Sequence, residues 1–179
     1  MNDIDHPRYE PTTLPYRVAV LVYLYDHEGR LLLLQRRKAP NAGLHSPIGG
    51  KVEISLGESP HECARREAME ESGVVLSDRD LRLAGIVIER AYQGEKHWLI
   101  FLFEATRPIG HDEVTAYEFD EGTLVWVSIA DVASAGIPET DRTIMWPNVQ
   151  AHRGGFFMVD IDCSGGVIEH RLVESWKAR

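Results

Sequence analysis

The chain has 179 residues, a length typical of one domain built around one hydrophobic core. Apolar residues make up 44% of it, which excludes a disordered or collagenous protein. Its 28 acidic residues outnumber the 19 basic ones, and the resulting net charge of −9 disfavours binding to nucleic acid or to an anionic membrane. We therefore expect neither as a partner, and a small anionic ligand would need a metal ion or a local basic pocket.

Cysteine usage and the N-terminal segment both indicate a cytoplasmic protein. The two cysteines, Cys63 and Cys163, form no zinc pattern and are too few for the disulfide framework of a small secreted domain. The first residues, MNDIDHPRYEPTTLPYR, include acids and lack the apolar stretch of a secretory signal. Since no apolar run approaches the ~20 residues of a membrane span, we expect no membrane partner.

The N-terminal half predicts an arm, a hairpin and a helix. Residues 1–15 are proline-rich and predict an extended arm, while residues 16–179 are expected to form a single domain. Residues 16–26 and 30–37 are typical strands around a DHEG turn and predict a β-hairpin. After a glycine-rich loop, Ser59 is a typical N-cap, Pro60 suits the first helical position and Glu62 completes a capping box. Because Gly73 can adopt the left-handed conformation that ends a helix, the helix is predicted over residues 60–72.

The C-terminal half is rich in predicted strands. Residues 81–91 and 97–105 read as two strands joined by a short loop, and residues 124–130 as another. Residues 144–152 predict a second helix, although Pro147 disfavours helical hydrogen bonding within it. Residues 154–162 and 167–175 predict a final hairpin. Strands surrounding two helices predict an α+β fold, specifically an α/β/α sandwich with a mixed β-sheet.

Three glutamates share one face of the first predicted helix. Glu67, Glu70 and Glu71 stand at positions i, i+3 and i+4, where like charges repel by about 0.2–0.5 kcal/mol per pair. Hard cations such as Mg²⁺ and Mn²⁺ prefer oxygen ligands, and a carboxylate cluster supplies them while substrate phosphates complete the shell. By spacing alone, however, an acidic helix face is more often simply solvated.

The order of residues around these glutamates favours metal binding. The segment GGKVEISLGESPHECARREAMEESGV resembles the Nudix box, a signature of hydrolases that act on nucleoside diphosphates linked to another moiety. The box covers residues 50–74, and from Glu58 to Val74 it matches the family pattern. Seven residues separate Gly50 from Glu58 where the family has five, so this loop is two residues longer. Such an extension costs little closure entropy and keeps the helix in phase, but it leaves the placement of Glu53 open.

The resemblance implies a Nudix fold and a set of metal ligands. In that family Glu67, Glu70 and Glu71 would hold one to three Mg²⁺ or Mn²⁺ ions, and backbone carbonyls near Gly49 would complete the shell, because glycine lets the main chain approach an ion. Glu118, in a later loop, is a candidate additional ligand.

The resemblance also implies catalytic roles. One carboxylate takes the proton of the attacking water; its position varies in the family, and we favour Glu70 or Glu71 over Glu118. Arg66 would orient Glu58, but an ordinary helix pair between Arg66 and Glu70 is equally sound, and both can hold together.

Candidate substrate residues lie both inside and outside the box. Arg36 could contact phosphate or end a solvated strand, and Lys51 and Glu53 stand in the glycine-rich loop. The segments GLHSPIGGKVE and IPETDRTIMWPNVQAHRGGFF resemble those of 8-oxo-dGTP diphosphatases, which have acidic residues after a Trp-Pro pair to read the purine. Here Trp146 could stack on a base or pack in the core, and Asn148 would contact a base edge through a neutral amide.

The sequence therefore predicts an Mg²⁺- or Mn²⁺-dependent pyrophosphohydrolase acting on a nucleoside di- or triphosphate or a related diphosphate. Oxidised purine nucleotides are the first candidates for its substrate. The alternatives are a dinucleoside polyphosphate hydrolase, weakly favoured by Tyr92, an ADP-ribose-type hydrolase, a non-catalytic nucleotide-sensing Nudix module, and an acidic domain without metal affinity. A monomer and a homodimer are equally compatible with the sequence.

Overall fold

The computed structural model describes residues 16–39, 41–94 and 96–178, so the arm predicted over residues 1–15 lies outside the described part. Within these ranges the chain forms nine strands and two α-helices. The strands are β1 (Tyr16–Tyr23), β2 (Leu31–Arg36), β3 (His45–Pro47), β4 (Leu81–Tyr92), β5 (Lys96–Ala105), β6 (Glu118–Phe119), β7 (Gly122–Val127), β8 (Phe156–Asp162) and β9 (Glu169–Trp176). The helices are α1 (Pro60–Ser72) and α2 (Trp146–Ala151).

The strands form two sheets. A five-stranded sheet has the order β1-β5-β4-β8-β9 and is mixed, since β1 runs parallel to β5 and β4 runs parallel to β8 while the other neighbours are antiparallel. A four-stranded sheet has the order β3-β2-β7-β6 and is antiparallel. The predicted α+β class with a mixed sheet is confirmed.

The first predicted hairpin is wrong in its strand pairing. The turn forms, with the Asp26 N–H donating to the Arg30 carbonyl at 2.9 Å, but β1 and β2 enter different sheets and meet only next to the turn, as at Tyr25 and Leu31. β1 instead pairs along its whole length with β5, and β2 with β7. Both strands carry apolar side chains on both faces, so each must be covered by other elements on both sides. A two-stranded hairpin on its own cannot provide that cover.

The two helices cover opposite faces of the strand layer. Successive leucines of β2 point alternately to the two faces, so Leu32 and Leu34 join one core cluster and Leu31 and Leu33 the other. The small side chains of α1 pack in the first cluster, and α2 with the turn before it packs in the second. This three-layer arrangement is the predicted α/β/α sandwich.

The later predicted elements also form. β4 pairs with β5 and β8 with β9, both antiparallel, as predicted. The second helix begins with a π-helical turn, Asp141–Met145, and continues as α2, so Pro147 falls in the first turn of α2, where proline is tolerated. No helix among the described residues is both long enough and apolar enough to span a bilayer.

Candidate active site

Helix α1 has the predicted bounds because its ends are determined locally. The Ser59 side chain accepts a hydrogen bond from the Glu62 N–H at 3.2 Å, and the Glu62 carboxylate accepts one from the Ser59 N–H at 2.9 Å. Gly73 has a φ of 79° and donates its N–H to the Met69 carbonyl at 2.9 Å. The carboxylates of α1 are therefore presented from a well-capped helix.

The two-residue extension of the box forms a small protrusion. Residues Ile54–Leu56 make a 3₁₀ turn that ends at Gly57, whose φ is 67°. Beneath it, the Glu58 carboxylate accepts a hydrogen bond from the Glu53 N–H at 2.8 Å, which closes the loop across its base. The extra residues thus point outward, with Leu56 81% exposed, and the start of α1 is unaffected.

Arg66 ties this loop to the helix. Its Nε and Nη2 donate to the two oxygens of Glu58 at 2.8 and 3.0 Å, a bidentate pair, and Nη2 also donates to the Lys51 carbonyl at 3.2 Å. Its Nη1 donates to Glu67 at 2.7 Å and to Glu70 at 3.1 Å. The guanidinium lowers the pKa of Glu58 from 4.5 to about 2. Arg66 therefore orients Glu58 and also pairs with Glu70, the two roles that the sequence left open.

Two of the three helix glutamates lie against the glycine loop. A Cβ atom added to Gly50 would stand 2.2 Å from Oε1 of Glu67, and the Gly49 N–H donates to Oε2 of Glu71 at 3.0 Å. Burial raises the pKa of Glu67, and it raises that of Glu71 from 4.5 to about 8. The charges of Glu67 and Glu121 raise the Glu71 pKa further. These carboxylates are thus held together where a nearby cation would favour their ionised forms.

Glu70 has a different environment. Its side chain is 54% exposed and its carboxylate is directed to Arg66. Across residues 16–39, 41–94 and 96–178, no three acidic, histidine or cysteine side chains are arranged to hold a metal ion. Glu67 and Glu71 nevertheless suit Mg²⁺, which proteins commonly bind through one or two carboxylates while substrate phosphates supply further oxygens. Glu67 and Glu71 therefore fit a cation whose coordination shell is completed by substrate, and the role of Glu70 as a third ligand stays a prediction.

A cleft of about 390 Å³ opens beside Glu67. Five predicted site residues line it: Arg36, Gly49, Lys51, Glu53 and Glu67. The cleft therefore combines carboxylates with basic side chains, as binding of a metal and a polyphosphate requires.

Three predicted residues have other surroundings. The Glu118 carboxylate is paired with Arg37, and the residue that reaches the cleft from this turn is Glu121. Trp146 is 6% exposed and stacks on Tyr23, with ring centroids 6.3 Å apart, so its position favours the packing role. The Asn148 side chain donates to the Ile144 carbonyl at 2.8 Å, within its own helical segment.

Sequence reasoning missed several residues of the cleft wall. Glu121 is one: Glu118 in this loop was named as a candidate ligand, and Glu121, which lines the cleft, was not considered. Glu89 and Asp141 are the others of interest. Glu89 could have been found from the sequence. It lies between Val87 and Ala91 on the buried face of β4, where a carboxylate is unexpected. No feature of the sequence indicated Asp141, because only the tertiary structure brings its turn to the cleft.

Comparison with known proteins agrees with this fold. A family model described as NUDIX domain matches residues 15–146. An RNA pyrophosphohydrolase of Cereibacter sphaeroides is 29% identical over 147 residues, which cover 72% of this chain and 86% of the relative. A MutT protein structure from Bacillus halodurans has a TM-score of 0.70 at 25% identity, covering 88% of this chain and 97% of that one. A MutT NUDIX hydrolase structure from Burkholderia pseudomallei has a TM-score of 0.58 at 28% identity, covering 75% and 98%.

Proposed function

The chain belongs to the NUDIX domain family and is a hydrolase, and from this premise we propose that it is an Mg²⁺-dependent pyrophosphohydrolase of a nucleoside di- or triphosphate or a related diphosphate. The observation that supports the proposal is a cleft lined by Glu67, Arg36 and Lys51, with Glu71 held next to it by its hydrogen bond to the glycine loop. Mn²⁺ would serve in place of Mg²⁺, because both prefer oxygen ligands.

The proposed chemistry needs charge neutralisation and positioning above all. Glu67 and Glu71, with a backbone carbonyl of the Gly49–Gly50 loop, would hold the cation. The bound cation neutralises phosphate oxygens and lowers the pKa of water. Glu70, the most exposed of the three carboxylates, is our candidate proton acceptor. Arg66 positions Glu70 and Glu67 from one guanidinium, and Glu58 fixes that guanidinium in turn.

The substrate is proposed to be a small molecule. The net charge of −9 opposes a polyanion, and the two free cysteines suit the reducing cytoplasm in which nucleotides are found. The relatives named RNA pyrophosphohydrolase nevertheless make a 5′-triphosphorylated RNA a specific second candidate. Oxidised purine nucleotides stay in the proposal, but Trp146 and Asn148, the residues expected to recognise them, have the internal contacts described above.

The test is hydrolysis of a substrate panel with product analysis. The panel comprises common and 8-oxo-purine nucleoside triphosphates, ADP-ribose, a dinucleoside polyphosphate and a 5′-triphosphorylated RNA oligonucleotide, each with Mg²⁺ and with EDTA. We expect turnover of at least one small nucleotide that disappears in EDTA. Turnover that persists in EDTA contradicts the metal-dependent mechanism, and preferential turnover of the RNA contradicts the small-molecule substrate.

Variants assign the roles. Glu70→Gln is expected to lower kcat about 10²–10⁴-fold while leaving the affinity for Mn²⁺ intact, since a general base contributes to rate and not to ion binding. Glu67→Gln is expected to weaken Mn²⁺ binding measured by calorimetry. Exposed Glu174→Gln on β9 is the matched control. Full activity of the double variant Glu70→Gln, Glu71→Gln would rule out the mechanism.

A further inference from the structure

Part of the cleft lining is formed by residues other than Glu67 and the glycine loop. It includes apolar and aromatic side chains, among them Leu21, Trp98, Ile100 and Met145. Into this surface the fold introduces Glu89 from β4 and Thr140 and Asp141 from the turn that precedes α2. Apolar walls with a few polar groups are typical of a small-molecule pocket.

Three buried polar atoms of the cleft lack a well-formed hydrogen bond within the protein. Glu89 is 3% exposed and Thr140 2% exposed, and the Thr140 side chain is close enough to the Glu89 carboxyl to lower its pKa, yet neither Oε1 of Glu89 nor Oγ1 of Thr140 makes a hydrogen bond of normal geometry. Ser46, which lines the same cleft, likewise has an unpartnered Oγ. Six buried side-chain atoms in the described residues lack partners, and three of them therefore belong to this one cavity. Each such atom costs free energy unless a ligand or water satisfies it.

The backbone around Glu89 is also adapted to this position. A bulge between Glu89 and Tyr92 interrupts the pairing of β4 with β5, and Ala91 within it has a φ of 51°. The bulge turns Tyr92 toward the cleft, where its hydroxyl donates to Asn41 at 2.9 Å. Bulges commonly re-aim side chains next to binding sites.

We propose that Glu89, together with Thr140 and Asp141, forms a recognition subsite for a nitrogen heterocycle, in which Oε1 of Glu89 accepts a hydrogen bond from a ring or exocyclic N–H of the ligand. The subsite determines substrate specificity and lies apart from the metal-binding glutamates. The inference rests on the proposed function, because the heterocycle is the one carried by the substrate diphosphate. It assigns base recognition to β4 and the 140–141 turn, whereas the sequence had indicated Trp146 and Asn148.

The surroundings favour a planar heterocycle over a sugar. Trp98, Ile100 and Met145 offer apolar surfaces that can pack against ring faces, and the unpartnered oxygens of the same cleft can accept hydrogen bonds from a ring edge. Burial raises the pKa of Glu89 to about 7 and that of Asp141 to about 8, and the charge of Glu89 adds to the latter. Near neutral pH this carboxyl pair can therefore both donate and accept, as the edge of a nucleobase requires.

The experiment measures binding, so it does not depend on turnover. Affinities are determined by calorimetry with Mg²⁺ for the α,β-methylene analogues of GTP, ATP, CTP and UTP, for ribose 5-triphosphate and for inorganic triphosphate. The wild type is expected to bind at least one base-bearing analogue tenfold or more tightly than either base-free probe. Glu89→Met, which keeps the length of the side chain, is expected to reduce that preference about tenfold, as loss of one hydrogen bond to a charged group predicts.

Two further measurements make the outcome decisive. Glu89→Met is expected to raise Tm, because it removes an unsatisfied buried carboxyl, so lost preference cannot then be ascribed to misfolding. Should that variant fail to fold, Glu89→Leu, which also removes the acceptor, must reduce the preference at least threefold. Glu174→Gln on β9 must retain it.

The inference is overturned if no base-bearing analogue is preferred, if ribose 5-triphosphate already binds as tightly, or if the preference survives substitution of Glu89. The proposed function fails on a different readout, namely the absence of hydrolysis of the unmodified nucleotides.

Discussion

Gly50→Ala isolates the position of the Glu67 carboxylate. The added Cβ would lie 2.2 Å from Oε1, 2.5 Å from Cδ and 2.8 Å from Oε2 of Glu67. Non-bonded carbon and oxygen atoms need well over 3 Å, so the carboxylate must move by about 1 Å. Gly50 is outside the left-handed region, so alanine itself introduces no backbone strain there. The perturbation therefore acts on the end of one flexible side chain.

The expected effect is large on activity and small on stability. A misplacement of about 1 Å at a reacting centre can cost about 100-fold in rate, so kcat/KM should fall by about that factor. The free energy of unfolding should change by only about 1 kcal/mol, since a flexible side-chain end can shift at small cost. Gly49→Ala would behave differently, because its Cβ would lie 2.1 Å from the Val20 carbonyl oxygen in the backbone of β1.

Steady-state hydrolysis and urea unfolding together test this reasoning. Gly166→Ala is the control, because a Cβ there meets nothing within 4 Å. If Gly50→Ala acts through Glu67, it should add little to the defect of Glu67→Gln in a double-mutant cycle. Activity within twofold of wild type, or full additivity with Glu67→Gln, would refute the reasoning.

Three further predictions concern Glu58, Glu71 and the core residue Trp146. Glu58 has a pKa of about 2 in the fold against 4.5 unfolded, so its pair with Arg66 stabilises the protein above pH 4.5 and this contribution is lost as pH falls through 2. Glu58→Gln should therefore lower the free energy of urea unfolding by about 1–2 kcal/mol at pH 7, and the difference between wild type and variant should narrow below pH 4.5. A difference that stays constant with pH contradicts the assignment. The pKa of Glu71 is raised from 4.5 to about 8, so the metal-free wild type should lose stability as pH rises across that interval, and Glu71→Gln should not show this loss. In thermal unfolding, Mg²⁺ should raise the Tm of the wild type but should raise that of Glu71→Gln only slightly. Equal Mg²⁺ stabilisation of both proteins would exclude Glu71 as a ligand. Trp146→Ala should cost about 3–5 kcal/mol of stability through loss of packing, and a selective rise in KM for purine nucleotides at unchanged Tm would instead show base stacking.

Features controlled by neighbours in sequence were predicted well. Helix α1 begins and ends at the predicted residues because Ser59, Glu62 and Gly73 satisfy its ends within a few positions. The spacing of Glu67 and Glu71 on that helix needs only helical geometry. The final hairpin, β8 with β9, forms for the same reason, since its short connection brings the strands together.

Features that depend on distant segments were either predicted wrongly, as for the pairing of β1, or left open. β1 chooses β5 over β2, a pairing that no local pattern shows. Trp146 packs against Tyr23 because α2 covers that face of the strands. Glu121 rather than Glu118 reaches the cleft, since the direction of each side chain depends on how β6 pairs with β7.

The amino-acid sequence alone determined the family, the acidic helix and the basic residues beside it, because these follow from spacing within one short segment. Only the tertiary structure decided which carboxylates are buried against the glycine loop and which other groups line the cleft. Glu89 and Asp141 come together because β4 lies next to a turn some fifty residues later in the chain. Contacts between segments so far apart depend on how all the strands and helices pack.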